Sequence, residues 1–326
     1  MNSTPSGSTV QIQVRQRYSW NRANVPCTDA TIATQGLIGD SSLLRCYTGN
    51  CALWVDDTTR TSCTDYSVDL VVSSGERLYI QTLNLNTARS VGYVSSAWFA
   101  DLVVGGNSAW NLITRIDTTV RPDGFINTSP VATTLPVIYK AINVQHVHVV
   151  QMSDFDGTDI LKCRWSTSTG NVNGYNECSG VCNGVPGAQL FQNNCTLVFT
   201  LTQANKYAAV ALQIEDYYNS AATTPLSSVS LQFLFYGYTT PGGCSTSPKI
   251  IGARPNRGNY QIFHKILRKR NLSFSNDLAC IGVDIGQNIT EYVIAEIGCA
   301  GKIVKDFTSS TPVGMIKSTI QNPSTG

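Results

Sequence analysis

Apolar and polar residues alternate along much of the chain, which is the pattern of β-strands with one buried face. The longest strand-like run is Tyr207–Tyr217, whose sequence YAAVALQIEDY is mostly apolar. Shorter strand-like runs occupy residues 10–14, 66–72, 77–85, 110–120, 137–142, 144–152, 160–165 and 231–238. The first 132 residues contain no helix-period segment of useful length. The pattern predicts an all-β protein built from antiparallel β-sandwiches.

Turn-forming stretches divide the chain into three predicted domains. Residues 10–132 are expected to form an N-terminal β-sandwich, which ends at the linker around Ser129-Pro130. Residues 133–241 are expected to form an immunoglobulin- or cadherin-like β-sandwich. The opening of that segment, Pro136-Val137-Ile138, is echoed at Pro248-Lys249-Ile250. Residues 242–326 are therefore predicted to be a partial second immunoglobulin-like sandwich, with a basic insertion at residues 264–270.

Composition favours an extracellular protein. Of the 326 residues 42% are hydrophobic and only 13% are charged, which suits secreted all-β proteins. The net charge of +2 gives no reason to expect nucleic acid as a partner. Residues 1–10 are polar, unlike a signal peptide, and no apolar run is long enough for a membrane span. We therefore expect this chain to be a fragment, or an incomplete gene model, of a secreted protein or ectodomain.

Eleven cysteines point to disulfides, because they form no CxxC pair and no histidine lies near them to complete a zinc site. Cys27, Cys46, Cys51 and Cys63 allow three pairings, among which the sequence does not choose. In the central segment we expect a Cys163–Cys195 bridge between strands and a Cys178–Cys182 bridge across a small loop. A Cys280–Cys299 bridge is expected near the end, which leaves Cys244 without a partner.

Asn-x-Ser/Thr sequons support the same exterior location, because this tripeptide is the acceptor for N-linked glycans. Candidate glycosylation sites begin at Asn127, Asn194, Asn271 and Asn288, and a further sequon begins at Asn2.

An acidic turn is the main candidate for metal binding. Asp154, Asp156 and Asp159 resemble a calcium loop, but glycine is fourth rather than sixth, so the turn is not an EF-hand. Asp216, with Glu215, ends a strand that could approach the same edge. These aspartates could hold calcium; otherwise they form a turn whose side chains bond the local backbone. No other cofactor is expected. His146 and His148 share one strand face, either as metal ligands or as a polar pair.

Four tryptophans in the first segment allow two interpretations, sugar binding or core packing. Trp20, Trp54, Trp98 and Trp110 could stack against sugars, as in lectin-type modules, or they could be core residues.

The central segment resembles a module of large invertebrate extracellular proteins that also carry von Willebrand factor type D and EGF-like domains. The resemblance rests on the order of DFDGTDILKCRW, ECSGVCNGVPGAQL, CTLVFTL, YAAVALQIEDY and TTPLSSVSLQFLFY, and it spans roughly residues 20–245. The acidic turn is also similar to that of cadherin- and PKD-type immunoglobulin-like sandwiches. The resemblance implies a structural or adhesive role and carries over no catalytic residue.

The sequence thus predicts a non-enzymatic extracellular glycoprotein of tandem disulfide-stapled β-sandwiches, the last one incomplete. Adhesion or matrix organisation is the expected function, with extracellular proteins or glycans as partners and with neither nucleic acid nor a membrane span involved. A carbohydrate-binding or carbohydrate-active module in the first segment is the alternative.

Overall fold

The computed structural model describes residues 7–240, 248–251, 286–288, 292–307 and 313–318, and the single positions 242, 244, 246, 290, 309, 320 and 321. Apart from the helix α1 (Asp29–Ala33) and a 3-10 turn (Ser179–Val181), the regular structure of these residues is β-sheet. Nearly all ladders are antiparallel, so the all-β, antiparallel fold class is confirmed. No helix within the described residues is long and apolar enough to cross a membrane.

The described residues form nineteen strands, numbered here in chain order. They are β1 (Thr9–Asn21), β2 (Leu37–Ile38), β3 (Leu43–Gly49), β4 (Asp57–Thr58), β5 (Thr61–Ser67), β6 (Val72–Asn84), β7 (Ala88–Ser96), β8 (Ala109–Asp117), β9 (Val131–Thr133), β10 (Val137–Ala141), β11 (Gln145–Val149), β12 (Gln151–Ser153), β13 (Ile160–Trp165), β14 (Gln189–Phe191), β15 (Thr196–Thr200), β16 (Tyr207–Tyr217), β17 (Ser227–Tyr238), β18 (Lys249–Ile251) and β19 (Ile294–Glu296).

The strands assemble into two large sheets and three small ones. One large sheet has the order β1-β6-β5-β2, and the other has the order β13-β16-β17-β8-β7-β3-β4, with β10 parallel to β17. The small sheets are β11-β15-β14, β12-β9 and β18-β19. In the eight-stranded sheet β16 lies between β13 and β17. Its residues from Ala208 to Asp216 are buried because both faces are covered: Val210 and Leu212 belong to one apolar cluster and Ala209 and Ala211 to another.

The expected boundary at residue 132 does not separate two sandwiches. Strands β3, β4, β7 and β8 of the first segment and β10, β13, β16 and β17 of the second lie in one sheet. The two segments are joined where Ser228 of β17 pairs with Arg115 of β8. Residues 1–240 accordingly belong to one compact unit. Local alternation predicts strands but not which distant strand becomes the neighbour, so the sequence suggested a division that the sheet does not have.

The apolar core of this unit has several parts. One part packs Phe199 against Phe235 with stacked rings 4.2 Å apart, and includes Leu212 and the Cys163–Cys195 bridge. Another part joins Tyr18 of β1 to Tyr93 of β7. Trp165 packs against the first part.

The described residues form five disulfides, with the pairings Cys27–Cys63, Cys46–Cys51, Cys163–Cys195, Cys178–Cys182 and Cys244–Cys299. The two pairings expected in the central segment are formed. The expected Cys280–Cys299 bridge is not, because Cys299 bonds to Cys244; Cys280 itself lies outside the described residues. By the loop-entropy model, the Cys27–Cys63 and Cys163–Cys195 bridges each stabilise the fold by about 3–4 kcal/mol.

The end of the chain also differs from the predicted partial sandwich of residues 242–326. A second unit comprises Pro241–Lys305 and Ile320–Gly326, and its described strands, β18 and β19, pair antiparallel. Asp306–Thr319 belongs to the first unit, where Lys317 Nζ lies 2.6 Å from Asp65 Oδ1. The basic run at residues 264–270 lies outside the described residues.

Candidate calcium site

The acidic turn joins β12 to β13 and is shaped by its own side chains. Asp154 Oδ1 accepts a hydrogen bond from the backbone N–H of Asp156 at 2.8 Å, which is the local bond of an Asx turn. Gly157 has a φ of 68°, in the left-handed region that glycine adopts without strain. The sequence reading of an Asp-rich turn with backbone bonds is therefore correct in this respect.

Sheet pairing brings a fourth aspartate to the turn. β13 runs antiparallel to β16, and Leu161 at the start of β13 lies opposite Asp216 near the end of β16. Carboxylate oxygens of Asp154, Asp159 and Asp216 all lie within 4.8 Å of one another. The structure thus gathers at one place residues that are more than fifty positions apart in the sequence.

Arg121 completes the cluster and was not identified from the sequence. Its guanidinium lies 2.5 Å from Asp156 Oδ2 through Nη1 and 2.7 Å from Asp159 Oδ1 through Nη2. The side chains of Arg121, Asp156 and Asp159 are at most 1% exposed. Arg121 comes from the segment after β8, and a lone arginine before Pro122 offered no signal of long-range pairing.

Asp216 is held by three donors on its other side. Its Oδ1 accepts from the backbone N–H of Ser227 at 2.6 Å and from Ser227 Oγ at 2.7 Å. Its Oδ2 accepts from Asn127 Nδ2 at 2.6 Å. The carboxylate is therefore fixed in position before any ligand arrives.

Two oxygens of the cluster lack a hydrogen-bond partner among the described residues. They are Asp154 Oδ2 and Asp156 Oδ1, and both are buried. A buried carboxylate oxygen without a donor is costly, because the group has lost its water and gained nothing in exchange. The cluster is also unbalanced, since its four carboxylates have a single guanidinium among them, that of Arg121, which pairs with Asp123 as well.

The pKa values of the cluster reflect this imbalance. Burial, together with the charges of Asp156 and Asp159, raises the pKa of Asp154 to about 6. Burial and the charge of Asp154 raise the pKa of Asp216 to about 7, against the hydrogen bonds from Asn127 and Ser227. Burial also raises the pKa of Asp159, although Arg121 opposes the shift. A bound cation would favour the charged form of all three.

A second buried acidic group has the opposite character. Glu177 accepts from Arg164 Nη1 and Nη2 at 2.7 Å each, from Asn173 Nδ2 at 2.6 Å and from the backbone N–H of Thr167 at 3.0 Å. Arg164 Nε also donates to Glu215 at 2.8 Å. Glu215 therefore does not belong to the aspartate cluster, because neighbouring residues of a strand point to opposite faces. All four acceptor positions of Glu177 are filled, so this group is structural.

The two strand histidines are packed against aromatic rings. His146 lies 5.6 Å from Phe199 and its Nε2 is 2.8 Å from Ala141 O, while His148 lies 5.3 Å from Phe235. Neither belongs to a group of three or more potential metal ligands among the described residues.

The tryptophans of the first segment pack against other aromatic rings. Trp98 is 7% exposed and its ring centroid lies 5.3 Å from that of Trp110, which in turn lies 5.3 Å from Tyr93. Trp20 and Trp54 are half-buried beside Tyr18. The burial of Trp98 favours the core interpretation for that residue. Trp20, Trp98 and Trp110 also line a cavity of about 1320 Å³.

The glycosylation candidates lie in different settings. Asn127 uses both ends of its amide, since Nδ2 donates to Asp216 and Oδ1 accepts from Arg121 Nη1 at 3.3 Å. Asn194 is exposed between β14 and β15, and Asn288 is exposed in the second unit. Asn271 lies outside the described residues.

Neither protein-family models nor curated proteins give a match to this chain. Among solved structures it is similar to the two tandem V-type regions of VCBP3, a v-region-containing chitin-binding protein, with 8% identity over 71% of this chain and 94% of that chain and a TM-score of 0.31. It is also similar to the sialic acid binding region of a Streptococcus sanguinis SK1 adhesin, with 8% identity over 74% of this chain and 81% of that chain and a TM-score of 0.22. TM-scores of this size do not establish a common topology.

Proposed function

We propose that this protein is a non-enzymatic extracellular module with a structural or adhesive role, and that its aspartate cluster binds a calcium ion. The cluster comprises Asp154, Asp156, Asp159 and Asp216. Five disulfides support an oxidising compartment for the module, because such bridges persist outside the cytosol.

The observation that carries the calcium proposal is the unpartnered buried oxygen Asp154 Oδ2, because Asp154 lies in a close group of carboxylates with Asp159 and Asp216. Calcium binds oxygens at about 2.3–2.6 Å, so two ligands on opposite sides of one ion are about 4.8 Å apart. The oxygens of Asp154, Asp159 and Asp216 lie within this span. A divalent cation would also offset the negative charge that Arg121 leaves uncompensated.

The donor set favours calcium over transition metals. Besides carboxylates, the surroundings offer the hydroxyls of Thr128 and Thr158, which bond to Asp154 and Arg121 respectively. Hard oxygen donors suit calcium and magnesium, whereas zinc and copper prefer imidazole or thiolate. The several chain segments around the site suit the flexible geometry of calcium better than the strict octahedron of magnesium.

Calcium at this position would fix the relative placement of three chain segments. The turn at 154–159, the end of β16 and the loop after β8 all supply residues to the cluster. Extracellular modules work with calcium dissociation constants of about 10⁻⁴–10⁻³ M, so a weak site is sufficient outside the cell. Bound calcium would stiffen this edge of the protein. A stiff edge can present its loops to other proteins or glycans, as an adhesive or matrix role requires.

Thermal unfolding with calcium and with EDTA tests the proposal. Calcium at a hundred times its dissociation constant should raise the melting temperature by about 5–10 °C. Asp154→Asn should abolish this response, and should raise the melting temperature in EDTA because it removes one repelling charge. The matched control is Asp101→Asn, whose exposed carboxylate pairs with Lys206 at the surface and which should respond as the wild type does.

A wild-type melting temperature that is unchanged by millimolar calcium would overturn the calcium site. The adhesive role is tested separately, with protein-coated beads that should aggregate, or bind matrix proteins or glycans, more strongly in calcium than in EDTA. Beads that bind equally in both conditions would contradict calcium-dependent adhesion.

A further inference from the structure

The outer face of the β11-β15-β14 sheet carries three exposed apolar side chains beside polar ones such as Gln145 and Gln189. Val147 is 62% exposed, Val149 47% and Phe191 53%. The register places Val149, Thr196 and Phe191 in one row across the three strands. Residues in one such row point to the same face, so Val149 and Phe191 lie on either side of Thr196. Covering these three side chains would remove their apolar surface from water.

An N-glycosylation sequon sits at the edge of this patch. The sequon is Asn194-Cys195-Thr196, and Asn194 is exposed in the four-residue loop between Phe191 and Thr196. Phe191 and Thr196 are direct cross-strand partners, so their Cα atoms are about 4.5–5.5 Å apart. The sequon hydroxyl and the exposed phenyl ring therefore belong to adjacent positions on one surface.

The loop that carries Asn194 is held firmly at both sides. Cys195 is bonded to Cys163, whose backbone N–H donates to Gln192 O at 2.9 Å. The backbone N–H of Val150 donates to Cys195 O at 2.9 Å. A group attached to Asn194 would start from a defined position beside Phe191 rather than from a freely moving loop.

We propose that Asn194 carries an N-linked glycan whose first sugar packs on Phe191 and whose following sugars cover Val147 and Val149. The carbon-bound hydrogens of a sugar ring form an apolar face that removes the phenyl ring from water. The inference uses one part of the proposed function, namely passage of the chain through the secretory pathway.

The modification is a glycosyl transfer. A bond forms between Asn194 Nδ2 and the anomeric carbon of an N-acetylglucosamine, which is donated by an oligosaccharide linked through diphosphate to a lipid carrier. The anomeric carbon–oxygen bond to the diphosphate breaks, the lipid diphosphate leaves with the electron pair, and one amide proton is released. A glycan at Asn127 would instead disturb the bond that its Nδ2 donates to Asp216 in the folded protein.

A four-protein cycle tests the proposal in chains secreted from a glycosylating cell. The proteins are the wild type, Asn194→Gln, Phe191→Thr and the double variant, and peptide mass spectrometry measures occupancy at residue 194. Asn194→Gln should lower the melting temperature by about 2–4 °C and increase the binding of an apolar dye. The double variant should melt at nearly the same temperature as Phe191→Thr alone, because the glycan no longer has a phenyl ring to cover. Asn288→Gln, which removes another exposed sequon, is the control and should leave melting unchanged.

Enzymatic trimming provides a second measurement on correctly folded wild-type protein. An endoglycosidase that leaves one N-acetylglucosamine should preserve the melting temperature but raise dye binding, because Phe191 stays covered while Val147 and Val149 do not. An unmodified Asn194, or an equal melting shift with and without Phe191, would overturn the proposal. The calcium response, measured on glycosylated and unglycosylated protein, separates failure of this inference from failure of the calcium site.

Discussion

Asn127 donates its side-chain N–H to Asp216 Oδ2 at 2.6 Å, and this bond gives a structural role to a residue that the sequence marked only as a glycosylation candidate. The nitrogen that would carry a glycan is the nitrogen that holds the buried carboxylate. In the folded protein the Asn127 side chain therefore belongs to the aspartate cluster.

Asn127→Ala should lower the free energy of unfolding by about 1–3 kcal/mol, because a buried carboxylate loses a donor. Urea unfolding measures this change, with Asn24→Ala at an exposed position as the control. Peptide mapping of secreted protein should find Asn127 unmodified. A glycan on most copies of Asn127 in folded protein would contradict the assignment.

Arg121→Met should make the fold depend on calcium. In EDTA, removal of the buried guanidinium leaves Asp156 and Asp159 without their partner and should cost about 3–5 kcal/mol. Calcium should restore more stability to this variant than to the wild type, because the ion then supplies the only compensating charge. Urea unfolding in both conditions gives the comparison, and an identical loss with and without calcium would exclude an ion beside Arg121.

Glu177→Gln should show that the Glu177–Arg164 pair is independent of calcium binding at the aspartate cluster. Glu177 is fully buried and pairs with Arg164 through both oxygens, so the substitution should cost about 3–5 kcal/mol in urea unfolding. The calcium-induced rise in melting temperature should remain as large as in the wild type. A lost calcium response would mean that the ion binds near Arg164 instead.

His148 should make the protein less stable in mild acid. Burial and the positive charge of Lys140 lower the pKa of His148 from 6.5 to about 4. The native state therefore binds fewer protons than the unfolded state between these values, and stability falls as the pH drops from about 6.5 to about 4. His148→Gln should lose less stability than the wild type over this range in urea unfolding. Equal losses in both proteins would remove His148 as the cause.

The disulfides should differ in how much each one contributes to the free energy of unfolding. Replacing Cys163 and Cys195 with serine opens a loop with a sequence separation of 32 and should cost about 3–4 kcal/mol. The same change at Cys178 and Cys182, separated by 4, should cost about 2 kcal/mol. Denaturant unfolding of the two double variants under oxidising conditions checks the order, and the reverse order would show that strain or packing dominates loop entropy.

The parts of the fold that depend on neighbouring residues were predictable from sequence. The strand predicted at Tyr207–Tyr217 has these bounds in the structure, because its apolar run is bounded by polar residues on both sides. The acidic turn and the short Cys178–Cys182 loop were recognised for the same reason. Asp216 was linked to the turn because a strand end can be placed at a sheet edge from the pattern alone.

The parts that depend on distant pairing were not predictable. Arg121 reaches the turn only because β8 and β17 share a sheet, and nothing near Arg121 in the sequence reports that neighbour. Cys299 was paired with Cys280 by proximity in sequence, whereas its partner is Cys244, 55 positions away. The outward position of Phe191 likewise follows from the pairing of β14 with β15.

The Cys244–Cys299 bridge spans the basic run at residues 264–270, which contains sites where trypsin-like proteases cleave. Cleavage anywhere between the two cysteines would leave both fragments covalently joined while the surroundings are oxidising. The fragment that follows the cut would also keep the ion pair of Lys317 with Asp65 in the first unit. Proteolytic maturation at this run would thus produce a two-chain molecule that separates on a denaturing gel only after reduction.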